Sequence, residues 1–473
     1  MKKIIYNLTL ILGFLLLFSC TMQKGKKESE SNRIFRGQSG EIKLVVLDPG
    51  HFHASLLQKF PQKQVNDTVF VYAPEGDELN QYLASIEGYN NRSENPTNWN
   101  EIVYSGTDYL EKMMEKKRGN VIILAGNNLK KTDYIYQSIK AGYHVLSDKP
   151  MAINAENFEL LKSAYSSARA QNVYLYDVMT ERYDIINTLT RELVNNKVLF
   201  GDLQAGTTDE PAITMQSIHH YFKEVSGNVL VRPGWFYDVE QQGESMVDVA
   251  THLVDLVNWQ CFPDDVINYQ RDVDLISARH WPTKLTLTEF TRSTNLDAFP
   301  DFLHKYVNDS VLEVYGNGRI NYRIKGKNIE VSALWNYKAP VGGGDAYSAL
   351  IKGTLATVAI VQSEEEHYIK QLYIEKNQAT DGIAFESALQ NLITELQKTY
   401  PYISTKKISP DRYQILVPVE KRKGHEDYFG MVAAKYFQYL VNRDMPEWEI
   451  SNTIAKYYIT TQALKMAEKK STP

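Results

Sequence analysis

From Glu41 onward the chain alternates short runs of β-branched and aromatic residues with longer stretches whose apolar positions recur every three or four residues. Strands are predicted at 42–47, 68–73, 121–125, 143–147 and 173–177. The amphipathic stretches at 131–141 and 155–171 are long enough to cross over a parallel sheet. This alternation predicts a doubly wound α/β domain over residues 41–181. After about Arg182 the rhythm changes. One helix is expected at 185–195 and another near 245–259, followed by strand-like segments at 285–291, 310–315, 320–324, 329–333, 349–362 and 368–374. Helical periodicity returns at 382–399, 428–441 and 451–467. Residues 182–473 therefore read as a second α/β domain with a large, mostly antiparallel sheet.

The first forty residues follow another pattern. Lys2 and Lys3 precede an apolar run from Leu8 to Phe18, closed by Leu17-Phe18-Ser19-Cys20. This resembles a bacterial lipoprotein signal over residues 1–20, with Cys20 as the lipidated residue and an apolar run too short to span a bilayer. Residues 21–40 are polar and read as a flexible tether. The expectation is an exported lipoprotein, held to the membrane through Cys20 and facing the periplasm or cell exterior. Cys261 is the one other cysteine, so no internal disulfide is expected. No twin-arginine pair precedes the apolar run, which argues for export of the unfolded chain without a cofactor loaded in the cytoplasm.

The composition narrows the function class. With 473 residues, 43% of them apolar and 23% charged, the chain is globular and long enough for more than one domain. A formal charge of −5 provides no basic field for a phosphate backbone, so nucleic acid is excluded as an expected partner.

Two segments carry candidate chemistry. In GESMVDVATHLVDLVNW, Glu244, Asp248, His252 and Asp255 are spaced four, four and three apart, and would form one polar stripe on an otherwise apolar helix. A helix greasy over most of its circumference is buried, so such a stripe faces a cavity; the plain alternative is an outward stripe with an ordinary Asp/His pair. The second segment is AGYHVLSDKPMA, a strand ending in Asp148-Lys149-Pro150. Ligands of open α/β sheets bind beyond such carboxyl ends.

Together these segments resemble the Gfo/Idh/MocA family, the glucose-fructose oxidoreductase and inositol dehydrogenase group. Its motif A-G-K-H-V-x-x-E-K-P is matched by AGYHVLSDKP, and its G-G-G-x-x-x-D-x-G-x-H-x-x-D by QGESMVDVATHLVD. Trp235 followed by Asp238 meets a third family feature. The resemblance runs in order from Ile42 to Trp259. It implies that the first domain is a Rossmann domain for NAD or NADP, and that a small carbohydrate is oxidised or reduced at a secondary hydroxyl. It assigns Lys149, His252 and Asp248 to catalysis. His252 would take the hydroxyl proton, Asp248 orient the imidazole or bind a hydroxyl, and Lys149 stabilise a developing alkoxide and hold the nicotinamide end. Asp255 would contact substrate from the other side. A homodimer through the large sheet is also implied.

The departures cluster in the cofactor half. The stretch KLVVLDPGHFHASL should contain the phosphate turn G-x-G-x-x-G, yet its three glycine places hold Asp48, Gly50 and His53. The second strand ends in Ala73-Pro74 where an acid should bind the adenine ribose, leaving Glu75 or Asp77 for that task only if the loop folds back. A threonine-proline pair after the fourth strand is replaced by Ala125-Gly126, followed by Asn127-Asn128. Two readings stay open. In one the dinucleotide binds, with Gly50 allowing close approach, amides of Phe52–Ser55 donating, His51 or His53 supplying charge, and Asp48, Asn127, Asp148, Lys149 and Pro150 lining the site. In the other it has been lost, and the histidines serve a substrate or a metal. No metal site is expected, because His51 and His53 lack a third ligand nearby in sequence. His219 and His220 read as substrate contacts or as a helix face, Trp235 as a sugar-side aromatic, and His425 as a residue able to line the cleft. Two other classes remain: a lyase, epimerase or glycosidase-like enzyme on oxidised glycosides, and a non-catalytic carbohydrate-binding lipoprotein.

Overall fold

The computed structural model describes residues 34–225, 228–340 and 343–471, so the signal, Cys20 and most of the tether lie outside the described residues. No helix among the described residues is long and apolar enough to cross a membrane.

The first domain is a six-stranded, all-parallel sheet. In chain order its strands are β1 (Leu44–Leu47), β2 (Thr68–Ala73), β3 (Asn100–Ser105), β4 (Val121–Leu124), β5 (His144–Asp148) and β6 (Leu175–Val178), arranged 3-2-1-4-5-6. Every residue of LVVL and VIIL is buried, as helices on both faces of a parallel sheet require. The strand order reverses between β1 and β4, which opens a crevice at their carboxyl ends.

Beyond Arg182, helix α6 (Ile185–Asn195) leads to a ten-stranded mixed sheet. Its principal strands are β7 (Ile213–Phe222), β8 (Val273–Thr286), β9 (Val311–Ile324), β10 (Lys327–Lys338), β11 (Ala346–Lys352), β12 (Ala356–Gln362), β13 (Gln371–Lys376), β14 (Ser404–Lys407) and β15 (Arg412–Leu416), in the order 8-9-10-7-11-12-13-15-14. Val307–Asn308 adds a short strand beside β9. All neighbours along this order are antiparallel except β10 with β7. Helices α6 and α7 (Ala250–Cys261) share the main hydrophobic core with this sheet. The tail then returns to the first domain. On α10 (His425–Asn442), Phe429, Val432, Tyr436 and Leu440 pack with Leu44, Val46 and Val71, and on α11 (Glu447–Ser471) Tyr457 joins the opposite face of that sheet.

Several predicted elements differ from those observed. Of the segment 285–291 only the first two residues are strand, the end of β8: Thr286 and Glu289 form a reciprocal capping box that starts the helix α8 (Leu287–Thr294). The single strand expected at 349–362 is two, broken where Gly353 lies so close to Phe200 that a Cβ would stand 2.3 Å from its carbonyl oxygen. The segments 310–315 and 320–324 form one continuous strand, β9. His219 and His220 lie on β7, at the centre of the sheet, and not on a helix.

Candidate active site

The crevice between β1 and β4 continues into a cleft of about 330 Å³ lined by Asp48, Gly50, Glu75, Asn127 and Lys130 of the first domain, with Trp235 and Gln241 of the second. Its floor depends on two backbones in close approach. A Cβ on Gly126 would lie 2.2 Å from the carbonyl oxygen of Asp48, and one on Gly50 only 3.4 Å from the amide nitrogen of Asn127. Asp48 takes a left-handed backbone (φ 50°), and its carboxylate accepts the Tyr134 hydroxyl at 3.0 Å. Burial raises its pKa, partly offset by that bond.

These features fit a dinucleotide. Backbone can come close to a diphosphate at Gly50, and Glu75, in the loop after β2, lines the cleft. Asp77 is already inside helix α2 (Asp77–Asn91) and does not line the cleft. The phosphate helix is the weaker part. The helix α1 (His53–Leu56) has four residues, so it adds little of a helix dipole. Phe52 is 54% exposed and lies outside the cleft lining, and the indole of Trp235 donates to Glu78 at 3.3 Å on the cofactor side.

Deeper in, the two domains meet through charge. The ammonium of Lys149, just past β5, donates to Asp248 Oδ1 at 2.6 Å, and Gln242 donates to the other oxygen at 3.0 Å. The Lys149–Pro150 peptide is cis. Burial alone would raise the Asp248 carboxyl and lower the Lys149 ammonium, but their mutual attraction outweighs it. Asp248 moves below, and Lys149 above, the ordinary value. His252 is a half-buried neighbour whose Nδ1 is buried with no partner among the described residues. Burial, reinforced by the Lys149 charge, pushes its imidazole down to about 3.

The predicted stripe is only partly a helical stripe. Helix α7 begins at Ala250, and residues 244–249 form turns, because Gly243 holds a left-handed φ of 89° against Ile153. Glu244 consequently pairs with His280 at 2.8 Å. Asp255 is not free for substrate. It accepts Arg182 through two bonds of 2.6 and 2.8 Å and Lys456 at 3.0 Å, and these cations hold its pKa far below the usual carboxylate range despite burial. Arg182 also reaches Glu449, and fully buried Lys456 also pairs with Asp177 on β6, so this network rivets the returning tail to both domains.

On the sheet side, His219 stacks on Trp335 at 5.1 Å and bonds Ser217 at 2.6 Å, while Asp345 joins His219, His220 and Lys223 at 3.2, 3.2 and 2.6 Å. Four further contributors were not singled out from the sequence. Gln242, at the first glycine place of the second motif, holds Asp248; Lys131 donates to Asn128 and to the Asp148 carbonyl, and burial pushes it down to about 8; Glu181 and Lys370 pair at 2.9 Å, and the Glu181 charge acts on His252. The last three lie in no motif, and their elements meet only in three dimensions. His425, at the start of α10, reaches the same region: its ring stands 5.5 Å from that of His53. His53 in turn bonds Asp148 at 2.9 Å, with His51 nearby, and none of these three lines the cleft.

Residues 50–176 match the family model GFO_IDH_MocA, described as "Oxidoreductase family, NAD-binding Rossmann fold", and residues 189–468 match one described as "Putative oxidoreductase C terminal domain". A crystal structure titled as a "putative oxidoreductase" from Parabacteroides merdae is 47% identical, covers 92% of this chain and 100% of its own, and superposes with a TM-score of 0.91. More distant structures share the fold. A levoglucosan dehydrogenase in complex with NADH and levoglucosan is 12% identical, with a TM-score of 0.57 over 91% of this chain and 98% of its own. The WlbA dehydrogenase of Bordetella pertussis in complex with NADH and UDP-GlcNAcA is 13% identical, with a TM-score of 0.53 over 92% of this chain and 97% of its own. No curated protein sequence matches the chain.

Proposed function

The chain belongs to the Gfo/Idh/MocA family of oxidoreductases, and from that premise we propose that it moves hydride between NAD and a secondary hydroxyl, or the matching ketone, of a sugar or sugar derivative outside the cytoplasm. The observation that carries this reading is the Lys149–Asp248 pair, which joins the end of β5 to the second domain with His252 in the first turn of α7, just after Asp248. A bound nicotinamide dinucleotide supplies the hydride acceptor or donor.

The side chains do the rest. The Lys149 ammonium lowers the cost of negative charge on the reacting oxygen. His252, whose Nδ1 has no partner among the described residues, is the group placed to take the hydroxyl proton as the hydride leaves. Asp248 fixes the ammonium and is itself fixed by Gln242. Half-buried His219, held by Ser217 and Asp345 and backed by the buried Trp335, is a hydrogen-bonding group suited to a sugar hydroxyl. Within the cleft Asp48, Glu75 and Glu78 outnumber Lys130, a balance that favours the diol of NAD over the 2′-phosphate of NADP.

The proposal includes secretion with a lipid on Cys20, supported by the charged start, the apolar run and the cysteine that ends it. A homodimer through the half-buried face of the ten-stranded sheet completes it and is checked by sedimentation. The primary test is calorimetry of the purified protein with NAD+ and NADP+: the reading expects binding of NAD+ and much weaker binding of NADP+. Absence of any dinucleotide binding, together with no nucleotide released on denaturation, would remove it.

A further inference from the structure

We propose that His51, His53 and Asp148 form a binding site for a divalent transition-metal ion, zinc being the natural first choice. The sequence offered two histidines without a third ligand; the parallel sheet supplies it, because β1 and β5 both deliver their ends to this point. Ligand-capable atoms of the three side chains all lie within 4.8 Å of one another, the one such group among the described residues. Asp148 Oδ2 is 2.9 Å from His53 Nδ1 and 3.9 Å from His51 Nδ1. Ligands about 2.1 Å from a tetrahedral zinc stand roughly 3.4 Å from each other, a value that the two histidine distances to Asp148 bracket; an ion would replace the proton on the His53–Asp148 bond and the His53 amide that His51 Nδ1 accepts at 3.3 Å.

The surroundings agree with this chemistry. His53 and Asp148 are 8% and 4% exposed, while His51 is half-buried and leaves one side approachable. Two ammonium groups face the site. Lys149 is paired with Asp248, and Lys131 is held by Asn128 and the Asp148 carbonyl. His425, with its ring 5.5 Å from that of His53, is the nearest further imidazole to complete the coordination. An N2O donor set of this kind suits zinc, cobalt or ferrous iron over calcium or magnesium.

The test is titration of the chelator-treated, purified protein with Co2+, followed by visible absorption and competed by Zn2+. The expected result is one equivalent of Co2+ per chain with a tetrahedral ligand-field band, displaced by Zn2+. His53→Ala and Asp148→Asn lose at least tenfold in affinity, with folding checked by circular dichroism, and Zn2+ raises the melting temperature of the unsubstituted protein. Failure of that protein to bind stoichiometrically, or equal binding by both folded variants, overturns the assignment. Neither result depends on turnover, so the outcome stands apart from the hydride-transfer reading.

Discussion

Lys149 and Asp248 meet at 2.6 Å across the seam between the parallel sheet and the second domain, and each moves the other's pKa against the direction that burial imposes. The pair therefore fixes an ammonium group where an oxygen gains charge and also ties the two domains together. Lys149→Met is expected to lower kcat by roughly 10²- to 10³-fold, as removal of one preorganised charge-stabilising group does. It also costs about 3 kcal/mol of stability by stranding Asp248. Adding Asp248→Asn restores most of the stability and none of the turnover. Denaturant unfolding and steady-state kinetics on the single and double variants separate these two effects.

Asp255 gives the opposite prediction. It is committed to Arg182 and Lys456, so Asp255→Asn leaves each buried cation with one carboxylate, Glu449 or Asp177, and is expected to destabilise by about 3 kcal/mol. At a temperature where the variant remains folded, KM for substrate stays close to that of the unsubstituted protein. Chemical denaturation read by fluorescence checks the first part, and initial rates in the cold check the second.

The pH dependence follows from the buried imidazoles. His252 is held near 3, against an ordinary value of 6.5, and His51 and His53 shift in the same direction. The unfolded chain thus takes up protons that the folded chain refuses. Stability is fully present above about pH 6.5 and falls as pH drops toward 3, by up to about 1.4 kcal/mol per pH unit for each such histidine. Depressed carboxylates such as Glu181, held near 2 by Lys370, add to the loss only below about pH 4. Melting curves between about pH 7.5 and 4.5 are expected to show this decline, with a shallower slope in His252→Gln.

The cofactor cleft is tested at Gly126. A methyl group there would lie 2.2 Å from the Asp48 carbonyl oxygen, so Gly126→Ala forces β1 and β4 apart at the crevice. Dinucleotide affinity is expected to fall more than tenfold while the second domain keeps its structure. Glu75→Gln is expected to weaken NAD+ binding severalfold and to narrow its advantage over NADP+. Calorimetry with both nucleotides checks both variants.

Much of the fold was legible because its signals are local. The all-buried runs Leu44–Leu47 and Val121–Leu124 mark parallel strands, and the family motifs fall at strand and helix ends where spacing is constrained. Lys149, Asp248 and His252 could be singled out for the same reason. What the sequence hid was non-local. Asp255 looked like a fourth member of a polar stripe, but Lys456, two hundred residues further on, claims it. Asp148 looked like part of a cofactor motif, and only the sheet brings it to His51 and His53. Periodicity also missed the helix after Thr286, where a capping box overrides strand-like residues.

The central claim is that Lys149, Asp248 and His252 act on a sugar hydroxyl with NAD as the hydride partner. Its most direct measurement is the appearance of NADH absorbance when the purified protein meets NAD+ and a panel of pyranosides, compared with Lys149→Met and His252→Ala. The account predicts dinucleotide reduction with at least one pyranoside and its loss in both variants. Turnover that persists undiminished in both variants, or a protein that binds pyranosides without ever reducing NAD+, would contradict it.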